Sequence, residues 1–448
     1  MEKIEGFLNK RLLPLATWVA QNKYIQTIAE TFMSLVPVIM VGAFAFILSK
    51  SPVSYTGFEE GTYWYGFFKA WDEWATANLV ALKFITSTTL GSLSLWVTVG
   101  IGYRWAKRFD LDIMQTVIVV VVNFLLINSM AIEGGWSTSY FGGEGLFSAI
   151  ISAFLIAQLY RTMVSRGIGY IKLPPTVPPV LQASLGSLLP LVACFGVGAI
   201  VTTIFNVIVG ISIPELVMSI GKPLNMAIDN PLSAGFIYAL SDLGYWFGIH
   251  TSAIEAVFQP VLYANLAANT HAFEAGVPPT ELPYIVNYIF RYSFAGIGGS
   301  GATFGLVLLL LRSRSDTCRT VGKVSIVPAL FGVNEPVVFG LPIMLNVTLL
   351  IPFLFIEAIN GAIAYFLMAG GLLNRAFLFA GSTGPEILRA VLCNMDLRTV
   401  VYWFAIVAFD TLLWYPFFKT YEKQLVEQER EQVAESEAQA APELNPVR

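Results

Sequence analysis

Charge is what this sequence has least of. Only 12% of its 448 residues are Asp, Glu, Lys or Arg, while 56% are hydrophobic and the mean hydropathy is +0.67. A soluble domain carries roughly 25% charged residues, so the deficit excludes that class and points to a polytopic membrane protein. The formal net charge is −4. No basic stripe runs along the chain, which excludes nucleic acid as a partner. The three cysteines, Cys194, Cys318 and Cys393, lie far apart with no CxxC, so neither a zinc site nor a redox dithiol is supported. Two histidines, His250 and His271, make no metal cluster. HExxH, the phosphate-binding P-loop and GxSxG are all missing, and neither a metal nor a cofactor is expected. Glu2, Lys3 and Glu5 open a mixed segment without a small-residue cleavage pattern, so no cleavable leader is expected.

What the chain does have is apolar runs of membrane length. A span needs about 20 apolar residues, and residues 25–48, 79–103, 111–132, 146–163, 188–213, 285–311, 345–367 and 400–418 qualify. Residues 221–268 are apolar but interrupted by Asp229, Pro231, Asp242, His250, Glu255 and Pro260, and read as two further spans plus a re-entrant hairpin. The expected fold is therefore all-α, with about ten transmembrane helices, re-entrant hairpins and interfacial amphipathic helices.

Positive charge orients these spans. Lys3, Lys10, Arg11 and Lys23 precede the first, Arg104, Lys107 and Arg108 follow the second, and Arg161, Arg166 and Lys172 follow the fourth. Residues 133–144 hold no Lys or Arg. The alternation puts both termini in the cytoplasm, with Arg312, Arg314, Arg319 and Lys323 on the same side. Residues 1–24 read as an amphipathic segment on the inner surface, with Ile4, Phe7, Leu8, Leu12 and Leu15 on one face. Residues 58–74, rich in Trp, Phe and Tyr, suit an interfacial helix on the outer face. Pro174, Pro175, Pro178 and Pro179 mark a stiff linker at mid-chain. Residues 421–448 form a charged cytosolic tail.

One run carries unusual chemistry: Asn334-Glu335-Pro336-Val337-Val338-Phe339-Gly340-Leu341-Pro342. An acidic residue at mid-bilayer costs about 2.5–3.5 kcal/mol, and two prolines six residues apart forbid one regular helix. Broken backbone at that depth survives only inside protein or along a wet cavity. Glu335 therefore reads as a ligand-binding carboxylate, against the alternative of a paired structural one. His250 shares its segment with Trp246, Gly248, Thr251 and Ser252, and reads equally as a packing residue or as a contact for a polyhydroxylated ligand. Gly296-Ile297-Gly298-Gly299-Ser300-Gly301 fits GxGxxG but follows no strand, so close backbone approach is its expected role. Asp242, Glu255, Glu357 and Asp410 read as paired groups before they read as coupling sites.

These residues resemble a known family. The run from Asn334 to Pro342, followed by Asn346, is similar to the signature of enzyme IIC, the membrane component of sugar phosphotransferase systems, in its lactose, cellobiose and diacetylchitobiose branch. Val177-Pro178-Pro179-Val180, Phe247-Gly248-Ile249-His250, Gly298-Gly299-Ser300-Gly301-Ala302-Thr303 and Tyr415-Pro416-Phe417-Phe418-Lys419 resemble further stretches of it. The chain departs from the family at Thr251-Ser252, where a small pair is usual. It departs again over residues 380–386, which lack the family's Trp.

The resemblance implies a homodimer in the bacterial inner membrane. It implies a scaffold and dimerisation domain over 25–215 and a mobile sugar-binding domain over 216–420 with two re-entrant hairpins. It implies that His250 and Glu335 act on the sugar's C6 hydroxyl, with Asn334, Trp246, Ser300 and Asn346 completing the substrate site. It also implies a separate cytosolic IIB protein, charged by upstream phosphotransfer proteins, as the phosphocysteine donor. The import of a β-linked disaccharide such as cellobiose or diacetylchitobiose would follow. An ion-coupled transporter using Asp242, Glu255, Asp410 or Glu335, or a non-transporting sensor, remain the other readings.

Overall fold

The computed structural model describes residues 18, 21–49, 51, 55–174, 176–341, 343–381 and 384–440. The amphipathic segment expected over 1–24 lies mostly outside the described residues, as do Pro342 and the end of the tail.

The molecule is built from helices, with a two-residue ladder pairing Ala131 with Trp136 and Ile132 with Gly135. The helices of the first half are α1 (Lys23–Leu48), α2 (Tyr63–Ala77), α3 (Leu79–Thr89), α4 (Leu93–Arg108), α5 (Ile113–Asn128), α6 (Leu146–Ser165), α7 (Pro179–Gly186) and α8 (Leu188–Thr203). Those of the second are α9 (Ile213–Ile228), α10 (Pro231–Trp246), α11 (Thr251–Glu255), α12 (Gln259–Glu274), α13 (Tyr288–Phe290), α14 (Phe304–Leu310), α15 (Asp316–Leu330), α16 (Glu335–Gly340), α17 (Val347–Ala369), α18 (Glu386–Asn394) and α19 (Arg398–Ala440). Six stretches among the described residues are long and apolar enough to cross a bilayer.

Local chemistry sets many of these boundaries. Asp112 accepts a hydrogen bond from Gln115 N at 2.8 Å to open α5, and Asn230 does the same for Ser233 N at 2.9 Å before α10, where Pro231 takes the first helical position. Ser212 and Glu215 form a capping box on α9. The helix α2 leaves Tyr63, Trp64, Phe67 and Trp74 exposed, as an interfacial helix does.

In the first half, α1, α3, α4, α5, α6 and α8 pack on one another. Arg104 and Arg108 both reach Glu30 on α1, at 3.1 and 3.2 Å. In the second half α10 lies along α17, and α14 lies against both α15 and α19. Gly305 allows that last approach. A Cβ there would stand 2.6 Å from Thr411 N. Small residues serve this purpose in membranes because lipid supplies no apolar driving force between helices.

The expected span over 285–311 is not one helix. It is α13, a wide turn through Arg291–Ala295, a non-helical stretch and α14. Gly298, Gly299 and Gly301 hold φ of +83°, +96° and +74°, which side-chain-bearing residues rarely adopt.

That broken stretch is held by a buried ion cluster. The guanidinium of Arg291 meets Asp242 of α10 at 2.8 Å, Glu357 of α17 at 2.9 Å, and Glu255 of α11. Glu357 also accepts from Gly301 N at 2.9 Å, and Glu255 from Tyr292 Oη at 2.7 Å. Asp242, Glu255 and Glu357 thus share one cation, and Asp410 accepts from Asn360 at 3.0 Å.

Arg291→Leu leaves three buried carboxylates uncompensated. It is expected to destabilise the fold by about 3–5 kcal/mol, read from unfolding of the purified protein in detergent. Gly305→Leu overpacks the α14–α19 crossing and is expected to cost about 1–3 kcal/mol in the same measurement.

Candidate functional site

Two interrupted helices meet at one cavity of about 400 Å³. In the first, α10 stops at Trp246, Gly248 turns at φ +85°, and α11 starts after His250. In the second, α15 ends at Leu330, Gly332 turns at φ +75°, and α16 begins at Glu335. Met33 and Val36 of α1 close the opposite wall, so the cavity lies between the two halves of the chain.

His250 and Glu335 face each other across this cavity, with Nε2 3.9 Å from Oε1. Ser252 N–H donates to His250 Nδ1 at 3.3 Å, and Ser252 Oγ sits 2.9 Å from the same nitrogen. An accepting Nδ1 places the proton of neutral imidazole on Nε2, which points at the carboxylate. The gap exceeds a direct hydrogen bond. It suits a hydroxyl oxygen that accepts from Nε2–H and donates to Oε1. The side chains keep 61% and 45% of their surface exposed, so both are open to a ligand.

Asn334 is the pin of the second hairpin. Its Nδ2 donates to Ser300 O at 2.7 Å, and a Cβ on Gly299 would lie 2.7 Å from Asn334 Cγ. The glycine-rich turn therefore approaches the hairpin tip backbone to side chain, and Ser300 lines the cavity beside it.

Trp246 and Asn346 stand elsewhere. The Trp246 indole is buried and donates to Asn346 O at 3.2 Å, while Leu345 N donates to Trp246 O at 3.1 Å. Asn346 Oδ1 caps α17 by accepting from Thr348 N at 3.0 Å. These two residues tie one hairpin to the other and do not line the cavity.

The neighbour Tyr245 lines it instead, together with Gln259, Tyr288 and Tyr292. Tyr245 Oη and Gln259 Oε1 are buried and take no hydrogen bond from the described residues. Arg291, Glu386 and Arg389 also reach the wall. Glu386 accepts from Gly298 N at 3.0 and 2.9 Å and pairs with Arg389 at 3.3 Å. Sequence reasoning weighed acids inside apolar runs and passed over Arg291. The same signal, a charge within an apolar run, would have found it.

Comparison with known proteins identifies relatives of the chain. The sequence model of the family described as Phosphotransferase system, EIIC, matches residues 29–356. The lichenan permease IIC component of Bacillus subtilis (strain 168) is 28% identical over 461 residues, covering 96% of each chain. The cellobiose-specific EIIC component of Geobacillus stearothermophilus is 27% identical over 453 residues, covering 96% of this chain and 97% of the other. A lactose-specific EIICB component of Lactococcus lactis subsp. lactis is 29% identical over 434 residues, covering 93% of this chain and 72% of that longer one. The crystal structure of ChbC, the IIC component of an N,N′-diacetylchitobiose-specific phosphotransferase system, superposes with a TM-score of 0.85. It is 28% identical, and the match covers 95% of this chain and 99% of that one. The all-helical fold, the two interrupted helices around a shared cavity and a family match over most of the sequence lead to one conclusion: this chain belongs to the EIIC family of the phosphotransferase system.

Proposed function

We propose that this chain imports a β-linked disaccharide, such as cellobiose or diacetylchitobiose, and presents its C6 hydroxyl for phosphorylation by a separate IIB protein. The 3.9 Å gap between His250 Nε2 and Glu335 Oε1 inside the cavity carries this reading. Relatives named for lichenan, cellobiose, lactose and diacetylchitobiose support the sugar class.

The hydroxyl sits between the two side chains. Glu335 takes its proton while the hydroxyl oxygen attacks phosphorus; the O–P bond forms as the S–P bond of the donor phosphocysteine breaks. Such transfers need chiefly positioning and charge neutralisation. Arg291 and Arg389 on the cavity wall are already paired with Asp242, Glu255, Glu357 and Glu386, so they hold the site's shape and leave charge neutralisation of the phosphoryl group to the donor protein. Tyr245 Oη and Gln259 Oε1 hold further sugar hydroxyls. The product carries about two negative charges at neutral pH and cannot recross the apolar barrier, so transfer makes uptake one-way.

Residues 25–215 form the scaffold through which two copies dimerise, and residues 216–420 form the sugar-carrying domain. The packing of first-half helices on one another, and of α10, α14, α15, α17 and α19 on one another, supports this division. Both termini lie in the cytoplasm, as the Lys and Arg distribution implies.

A sugar panel on purified protein tests the reading, first for binding and then with IIB and a phosphoryl donor. Phosphorylation of the bound sugar is the expected result. Gradient-driven accumulation of unmodified sugar would overturn it. Glu335→Gln is expected to lower sugar-phosphate formation about 10²–10⁴-fold, the range for losing a general base, while binding changes less than tenfold. Full activity in that variant removes Glu335 from the proton-accepting role. Tyr245→Phe is expected to weaken sugar binding about 2- to 10-fold, the worth of one hydrogen bond, as titration calorimetry would read it.

A further inference from the structure

A second cavity, of about 470 Å³, adjoins the first. Along α1, Met33 and Val36 face the first cavity and Ile39 faces the second. The break between α3 and α4, the segment around residues 138–144 and one side of α12 complete it. In the orientation proposed above it lies toward the outer face.

One aromatic pair is the wall between the two. Tyr263 lines the second cavity and Tyr288 the first, and their rings stack with centroids 4.0 Å apart. Phe32 of α1 stacks on Tyr263 at 4.4 Å, and Phe379 stands 5.7 Å from Tyr288. All four are buried. Three come from the second half of the chain and Phe32 from the first, so the partition is completed only where the halves meet.

The lining suits an uncharged polyol. Thr88, Ser92, Thr138 and Ser139 present hydroxyls. Ser92 Oγ donates to Ser87 O at 2.9 Å and keeps lone pairs for a ligand. Glu144 and Glu274 add carboxylates, with His271 Nδ1 3.6 Å from Glu144. Tyr263 and Phe379 close its inner end, with both faces of Tyr263 covered by Phe32 and Tyr288. Among the described residues no Lys or Arg lines it. A neutral saccharide meets hydroxyls and carboxylate acceptors here, while a sugar phosphate meets two carboxylates with no Lys or Arg to offset them. Its volume lies within the range of small-molecule sites.

We infer that this second cavity is a saccharide-binding antechamber, which the transported sugar occupies before reaching His250 and Glu335, and that the Phe32–Tyr263–Tyr288 stack shuts it off from them. The inference rests on the sugar-import reading above.

Thr88→Trp and Ser139→Trp fill the antechamber from two different segments, and both side chains are exposed, so folding is undisturbed. The probe is the panel sugar that the wild type binds most tightly, cellobiose in the expected case. Each variant is expected to raise the half-saturating external concentration for uptake into cells at least tenfold. The affinity of the detergent-solubilised protein for that sugar stays within twofold. Unchanged uptake, or affinity falling in parallel with uptake, overturns the antechamber. A wild type that binds no panel sugar overturns the import reading, and this inference falls with it.

The partition is tested with Val36→Cys and an impermeant maleimide outside the cell, since Cys194, Cys318 and Cys393 are buried. Adding Phe32→Ala is expected to speed labelling at least tenfold. Equal rates overturn the partition.

Discussion

A charge that leaves water for the interior of a membrane protein has to be met by an opposite charge or by directed hydrogen bonds, because lipid offers neither. In this protein that demand converges on Arg291. One guanidinium answers Asp242, Glu255 and Glu357, which belong to three separate helices. The same carboxylates reach further: Glu357 takes the N–H of Gly301 and Glu255 the hydroxyl of Tyr292. The cluster thereby fixes a stretch of backbone that could not hold itself as helix. Glu386 repeats the device on a smaller scale, accepting from Gly298 N and pairing with Arg389.

Once that stretch is fixed, the site follows. The glycine-rich turn gives Asn334 a backbone carbonyl to bind, and Asn334 sets the tip from which Glu335 projects. The other hairpin is joined to the same region through the Trp246–Asn346 hydrogen bond. His250 and Glu335 arrive from different hairpins, yet both are anchored to elements that the ion cluster organises. Two polar side chains can then face a cavity without collapsing onto each other. A weak hold at 3.9 Å leaves each free to engage a ligand hydroxyl.

The lining differs across the aromatic wall. On the side of His250 and Glu335, Arg291 and Arg389 are met by Glu255, Glu357 and Glu386 of the same lining, so their charge is taken up in ion pairs. On the other side hydroxyls, Glu144 and Glu274 stand, and among the described residues no Lys or Arg lines the cavity. The wall is made of tyrosine and phenylalanine faces that stack on each other.

The sequence by itself determined the membrane class, the interrupted helix at Asn334-Glu335-Pro336, the family resemblance and the aromatic-rich character of residues 58–74. These follow from composition, from proline and glycine positions and from the cost of a carboxylate in lipid, all of which are local. It did not determine which side of a helix meets the cavity. Tyr245 and Trp246 are adjacent, but about 100° of helical rotation separates them, and the structure turns Tyr245 inward and Trp246 against Asn346. Nor did it reveal that residues 285–311 break, because an apolar run hides turns that only the long-range partners of Gly298, Gly299 and Gly301 sustain. Arg291 with its three carboxylates, Glu386 against the glycine turn and the Phe32–Tyr263–Tyr288 stack unite residues tens to hundreds of positions apart. Only the tertiary structure could decide those meetings, because each depends on how separate helices are rotated and docked against one another.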